Sequence, residues 1–146
     1  MKIIILNGPN LNNLGKRKKE LYGTKTLNEI NIILKSIAKK YNCELLFFQS
    51  NHEGALIDFL QENASSADGI LINPGALTHY GYSLRDALVD TQLPIVEIHL
   101  SDITKREDFR KIDVLDGIVI EQIMGKKEKS YEEGLEKLIL YIKNGH

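Results

Sequence analysis

The 146-residue sequence contains a single cysteine and no tryptophan, and its formal net charge is only −1. One thiol cannot close an internal disulfide, so a disulfide-stapled secreted scaffold is excluded. The small net charge gives no general attraction for nucleic acid or for an anionic membrane surface. No run approaches the roughly 18 apolar residues of a membrane span, and the apolar run Ile3–Leu6 is too short for a signal peptide. We therefore expect a cytoplasmic protein without nucleic-acid or membrane partners.

The common cofactor and nucleophile motifs are also missing. There is no G-x-G-x-x-G, H-E-x-x-H or G-x-S-x-G pattern, and Lys16 is followed by Arg17 rather than by the Ser or Thr of a phosphate-binding loop. A metal site at His79 and His99 is conceivable, but no cysteine or carboxylate spacing supports it. The sequence therefore predicts a site with no cofactor and no metal.

Five short apolar runs indicate β-strands, and they cover residues 2–7, 43–50, 69–73, 94–100 and 117–123. Each is continuous rather than alternating, which is typical of strands buried on both faces of a parallel sheet. Cys43 begins the second run, so we expect it to be a buried strand residue.

Amphipathic segments separate these runs and predict helices. Thr26–Glu29 and Ser50–Glu53 both have the form of a capping box, Ser130 opens the last helix, and a further helix is expected over about 80–91. This alternation predicts a single α/β domain over residues 1–146, a flavodoxin-like, doubly wound, five-stranded parallel sheet in the order 2-1-3-4-5 with helices on both faces.

Ligands of such sheets bind beyond the carboxyl ends of the strands, near the point where the strand order reverses. Amide, imidazole and hydroxyl side chains occur at those ends, in 7–10, 49–53, 73–79 and 97–101. Asn7 and Pro74 are compatible with simple turn chemistry, and Ser50 and Thr78 with helix caps.

His99 lies at the end of the fourth predicted strand, and Glu97 is on the same face of that strand. A carboxylate beside an imidazole fixes its tautomer and favours the protonated form, which suits a proton donor. A hydrogen-bonded core histidine explains the spacing equally well. The sequence also offers arginines for an anion, Arg17, Arg85, Arg106 and Arg110.

Several motifs in order resemble those of the type II 3-dehydroquinate dehydratases. They are LNGPNLNNLG (6–15), Arg17 with Tyr22 and Gly23, QSNHEGALID (49–58), INPGALTH (72–79), LRDAL (84–88), EIHLSDI (97–103) and REDFR (106–110). The resemblance implies a flavodoxin-like fold and trans dehydration of 3-dehydroquinate to 3-dehydroshikimate through an enolate, in the shikimate pathway and without a cofactor.

The resemblance also implies residue roles. Tyr22 would be the base and His99 the acid, with Arg17 assisting Tyr22, Asn10 stabilising the enolate and Glu97 orienting His99. The implied substrate-binding residues are Asn73, His79, Asp86, Leu100, Ser101 and Arg110. Asp86 would act in a neighbouring subunit, because the family forms trimers that assemble into dodecamers.

The basic stretch LGKRKKELYG (14–23) resembles the family's mobile lid. It lacks the proline that is usual there, and the segment after Arg110 is the poorest match to the family. Two other interpretations remain at this point: a flavodoxin-like binding module without enzymatic activity, and a metal-dependent hydrolase that uses His79, His99 and Asp102.

Overall fold

The computed structural model describes residues 1–146 and contains one five-stranded sheet. The strands are β1 (Lys2–Asn7), β2 (Glu44–Gln49), β3 (Gly69–Asn73), β4 (Ile95–His99) and β5 (Glu121–Met124). All four neighbouring pairs are parallel, and the order is β2-β1-β3-β4-β5. The predicted sheet and its strand order are confirmed.

Five α-helices cover the two faces of the sheet. They are α1 (Lys19–Tyr22), α2 (Leu27–Lys40), α3 (Glu53–Asn63), α4 (Tyr82–Asp90) and α5 (Lys129–Lys143). None of them is both long and apolar enough to span a membrane.

Successive residues of β1 pack into two different cores. Ile3 and Ile5 belong to the cluster that includes the apolar residues of α2 and α5, whereas Ile4 and Leu6 belong to the cluster that includes those of α3 and α4. Side chains of a strand alternate between faces, so a strand with apolar residues at every position needs a helical layer on each side. The continuous apolar pattern of β1, β3 and β4 has this cause.

Three local predictions were wrong. Cys43 precedes β2 and is only partly buried, because β2 is an edge strand whose residues keep some exposure. The last predicted strand starts at Glu121 instead of residue 117, after a turn that contains Gly117 at φ 88°. α5 begins one residue before Ser130, whose hydroxyl accepts a hydrogen bond from the Lys126 amide.

The predicted capping box at Ser50–Glu53 is also wrong. Ser50 accepts a hydrogen bond from the His52 amide, and α3 begins at Glu53 without a side-chain cap. The Glu53 carboxylate instead accepts from the Leu84 amide in the first turn of α4. A tertiary contact between two helices has replaced a local one, while the capping box at Thr26 is present.

Candidate active site

A cleft of about 110 Å³ lies beyond the carboxyl ends of β1, β3 and β4. Its lining contains nine of the predicted site residues: Asn10, Arg17, Tyr22, Asn73, His79, His99, Leu100, Ser101 and Arg110. A wider recess around Met1 and Cys43 lies at the opposite ends of the strands. That recess contains no comparable set of acid–base groups, so the cleft is the candidate active site.

The ends of β1 and β3 approach each other closely at this cleft. The Gly8 amide donates to the Asn73 carbonyl at 2.8 Å. A Cβ atom on residue 8 would lie 2.3 Å from the Pro74 carbonyl oxygen, so only glycine fits. The chain then turns at Asn10, which has a left-handed φ of 70°. This turn places Asn10 in the lining of the cleft.

A buried tyrosine from α5 connects the same two strand ends. The Tyr131 hydroxyl donates to Asn7 Oδ1 at 2.5 Å and accepts from Asn73 Nδ2 at 3.1 Å. All three residues are buried. Asn7 therefore does more than form a turn, and Tyr131 holds the Asn73 amide whose other end accepts from the Gly75 amide.

Tyr22 lies between two guanidinium groups. Arg106 Nη1 donates to the Tyr22 hydroxyl at 2.9 Å and to Ser101 Oγ at 3.3 Å. The Arg17 guanidinium carbon is 3.9 Å from the centroid of the Tyr22 ring. The two guanidinium groups therefore place positive charge against the oxygen and against the ring of the phenol.

Arg106 was named among the arginines of the sequence but not among the predicted site residues. Arg17 was predicted to assist Tyr22, and it contacts the face of the ring, whereas Arg106 contacts the oxygen. The REDFR motif (106–110) could have indicated this role for Arg106, because it places two arginines four residues apart and both line the cleft.

His99 and Glu97 are in direct contact, with 2.6 Å between His99 Nε2 and Glu97 Oε1. Glu97 is fully buried. Burial acts to raise the pKa of the Glu97 carboxyl, but hydrogen bonds from His99, Thr78 and Gln122 outweigh it and hold that pKa below its usual range. Glu97 is therefore a carboxylate that orients the imidazole.

Three residues behind Glu97 were not assigned to the site from sequence. Thr78 is buried and its hydroxyl lies between Glu97 and Asp113, so it does more than form the helix cap with which its sequence context was compatible. Gln122 donates from one amide nitrogen to both carboxyls. Burial and the negative charge of Glu97 raise the pKa of Asp113 to about 6. Asp113 and Gln122 lie in the segment that matches the family least, which explains why they were missed.

His79 and Arg110 form another part of the lining. His79 Nδ1 is 2.7 Å from the Ile112 carbonyl oxygen, and burial lowers the pKa of its imidazole. A neutral imidazole with that nitrogen protonated can donate to Ile112 and present its other nitrogen as an acceptor. Arg110 donates to Glu107 at 2.5 Å.

Asp86 is the one predicted site residue remote from this cleft. It is exposed on α4 and does not line the cavity. Its predicted role requires a neighbouring subunit, so that role stays a prediction.

The three residues of the hydrolase interpretation do not form a metal-ligand cluster. The Asp102 carboxylate accepts from the amide and hydroxyl of Thr104. The one group whose ligand atoms all lie within 4.8 Å of one another is Glu97, His99 and Asp113. Those carboxyls already form hydrogen bonds with Thr78 and Gln122, so their oxygens serve a hydrogen-bond network.

The cleft combines a phenol held between two arginines with an imidazole held by a carboxylate. Its lining includes Arg17, Arg106 and Arg110 but no aspartate or glutamate. Such a cleft suits an anionic small molecule, from which one group removes a proton while another donates one.

Residues 1–139 match the family model described as "Dehydroquinase class II". The chain is 52% identical over 139 residues to the 3-dehydroquinate dehydratase of Roseiflexus castenholzii, covering 95% of this chain and 88% of that protein. It is 46% identical over 144 residues to the enzyme of the same name from Halothermothrix orenii, covering 99% and 97%. The crystal structure of a type II dehydroquinase from Butyrivibrio crossotus has 43% identity and a TM-score of 0.91, over 94% of this chain and 97% of that one.

Proposed function

The chain belongs to the class II dehydroquinase family, and we propose that it dehydrates 3-dehydroquinate to 3-dehydroshikimate. The observation that carries this proposal is the pairing of Tyr22 with Arg106 and of His99 with Glu97 in one arginine-lined cleft. The first pair supplies a base and the second an acid, which are the two groups that removal of water requires.

The base acts first. The Tyr22 phenolate takes a proton from the carbon next to the substrate ketone, and the electron pair moves onto the ketone oxygen to form an enolate. Arg106 and Arg17 hold their positive charges beside the Tyr22 oxygen and ring during this step. Asn10, which the turn after β1 places in the cleft, stabilises the enolate oxygen.

The acid completes the reaction. The enolate re-forms its carbonyl, the carbon–oxygen bond to the leaving hydroxyl breaks, and His99 gives that oxygen a proton so that it departs as water. Glu97 keeps the imidazole oriented throughout and balances its positive charge. The Tyr22 proton returns to His99 through solvent, so the enzyme ends in its starting state.

The remaining lining residues hold the substrate. Backbone amides at Leu100 and Ser101, together with Arg110, bind its carboxylate, and Asn73 and His79 bind its hydroxyl groups. The segment of residues 14–23 acts as a lid, since it carries Arg17 and Tyr22 into the cleft. Its two glycines Gly15 and Gly23 have positive φ.

The wider setting follows from the family resemblance. We expect a cytoplasmic enzyme of the shikimate pathway and a homo-oligomer in which trimers assemble into a dodecamer. Asp86 of one subunit then lies beside the cleft of its neighbour.

A direct assay tests the proposal. Purified protein treated with EDTA is mixed with 3-dehydroquinate, and the ultraviolet absorbance of the conjugated enone product is followed. We expect turnover without added metal. A complete absence of turnover would refute the proposed reaction, and turnover restored only by a divalent metal would favour the hydrolase interpretation.

A His99→Gln variant tests the acid in the same assay. Loss of a general acid typically lowers the rate by about 10²–10⁴-fold, and the loss should fall on kcat, because the proton is needed in the transition state. His146→Gln, at the exposed end of the chain, is the control. If the two variants have equal activity, His99 is a core histidine and not the acid.

A further inference from the structure

A hydrogen-bond network, buried at Glu97 and Thr78 and half-buried at Asp113 and Gln122, extends from His99 away from the cleft. Glu97 contacts His99 at 2.6 Å. Behind it, the Thr78 hydroxyl lies 2.5 Å from Glu97 Oε1 and 3.0 Å from Asp113 Oδ1. The Gln122 amide nitrogen donates to the second oxygen of each carboxyl. The two carboxyls are thus bridged twice.

The number of hydrogens in this network leaves a place for one shared proton. Thr78 has one hydroxyl hydrogen, and its shorter contact gives that hydrogen to Glu97. The lone pairs of Thr78 Oγ1 then face Asp113 Oδ1, and two acceptors at this distance repel unless a hydrogen lies between them. A proton on Asp113 fills this position and makes the chain Asp113 to Thr78 to Glu97 to His99 continuous.

The charges around Asp113 favour the same arrangement. Glu97 and His99 of β4 lie next to Asp113. His79 lies at the end of the short helical turn Gly75–His79, which follows β3. The nearest arginine from α4, Arg85, donates its Nε to the Val114 carbonyl instead. Asp113 forms no ion pair, since none of the salt bridges includes it. Burial beside a carboxylate without a cation favours the protonated acid.

We propose that Asp113 is a positioning residue for the proposed dehydration, which shares one proton with Glu97 through the Thr78 hydroxyl, while Gln122 donates to both carboxyls, and so sets the negative charge that stands behind His99. The catalytic consequence of this inference rests on the proposed function. The shared proton rests only on the hydrogen-bond geometry of the free protein. Asp113 touches neither substrate nor lining; it acts through Glu97.

The consequence is a charge that changes within the working pH range. Because the pKa of Asp113 is about 6, the network holds the shared proton below this pH and gains a second negative charge above it. That second charge strengthens the negative field behind the His99 imidazole. Activity on the alkaline side therefore extends to higher pH than Glu97 alone would allow.

The test compares the pH profiles of kcat for Asp113→Asn, Asp113→Ser and Asp113→Glu. The first two variants remove the charge, so we expect the alkaline fall of kcat to begin about one pH unit earlier, with KM within about twofold because Asp113 is outside the lining. Asp113→Glu restores the charge and should restore part of the profile. Asp116→Asn, an exposed carboxylate three residues away, is the matched control and should match the wild type. A purely structural role would lower kcat equally at every pH and overturn the inference.

Infrared titration of the free protein provides a second test that needs no turnover. A protonated-carboxyl band should disappear between about pH 5 and 7 in the wild type and in Asp116→Asn, and be absent in Asp113→Asn. If no variant at this position folds, the wild-type band decides alone, and its absence contradicts the shared proton. An inactive wild type that shows the band refutes the proposed function, whereas an active wild type without the band refutes only this inference.

Discussion

Replacing Tyr131 by phenylalanine tests the contact that joins the site to the last helix. The change removes only the hydroxyl, which donates to Asn7 Oδ1 and accepts from Asn73 Nδ2. The Tyr131 ring is fully buried and the two asparagines are 1% and 3% exposed. Water therefore cannot replace the lost hydroxyl without opening the core.

The magnitude follows from the two polar atoms left unpaired. Each buried donor or acceptor without a partner costs about 1–3 kcal/mol. Two of them, Asn7 Oδ1 and Asn73 Nδ2, give about 2–6 kcal/mol. An unfolding entropy of about 2.1 cal/mol/K per residue over 146 residues makes each kcal/mol worth about 3 °C. We expect Tm to fall by about 6–18 °C.

Calorimetry at one fixed protein concentration measures this change, because the Tm of an oligomer depends on concentration. Tyr80→Phe is the control, since the Tyr80 side chain is 60% exposed. Burial raises the pKa of the Tyr131 phenol well above its ordinary value, so the hydroxyl stays neutral and the loss should not vary between pH 6 and 8. A released Asn73 should also raise KM more than it lowers kcat.

The outcome that refutes this reasoning is a Tyr131→Phe protein that melts within about 1 °C of Tyr80→Phe. Asn7 and Asn73 would then satisfy each other without the phenol. An unchanged KM together with a large fall in Tm would keep Tyr131 as a stabilising residue but remove its influence on the substrate contact of Asn73.

Tyr22→Phe should lower kcat by more than about 10²-fold and still bind a small carboxylate in a calorimetric titration; substantial turnover would mean that the base is another residue. Arg110→Ala should raise KM and weaken inhibition by citrate, whereas Lys111→Ala, the neighbouring exposed cation, should do neither; equal effects would remove Arg110 from the site. Asp86→Ala should loosen the assembly in analytical ultracentrifugation and lower activity together, with Asp90→Ala, an exposed carboxylate on the same helix, as control. A fully active monomer would contradict the assembly prediction.

The sequence by itself determined the sheet. Five continuous apolar runs separated by amphipathic segments allow few arrangements other than a parallel sheet covered on both faces. The strand order then predicted where ligands bind, and the side chains after β1, β3 and β4 do meet in one cleft. The Glu97–His99 contact was also predictable, because residues two apart on a strand share a face.

Local patterns failed where a distant partner competes for the same side chain. Thr78 has the sequence context of a cap but bonds two carboxyls, and Glu53 leaves its expected capping box to bond the Leu84 amide. Capping rules assume that these polar side chains form hydrogen bonds with the nearest backbone groups. In the folded chain they satisfy buried donors and acceptors that would otherwise be unpaired.

Only the tertiary structure decided which residues act on the acid and the base. Arg106 is 84 positions from Tyr22, Gln122 is 25 from Glu97, and Tyr131 is 124 from Asn7. No periodicity or spacing connects residues so far apart, because the contact exists only after crossover helices have brought the strands together. The chemistry of each side chain was visible in the sequence, but the charge that surrounds it was set by the fold.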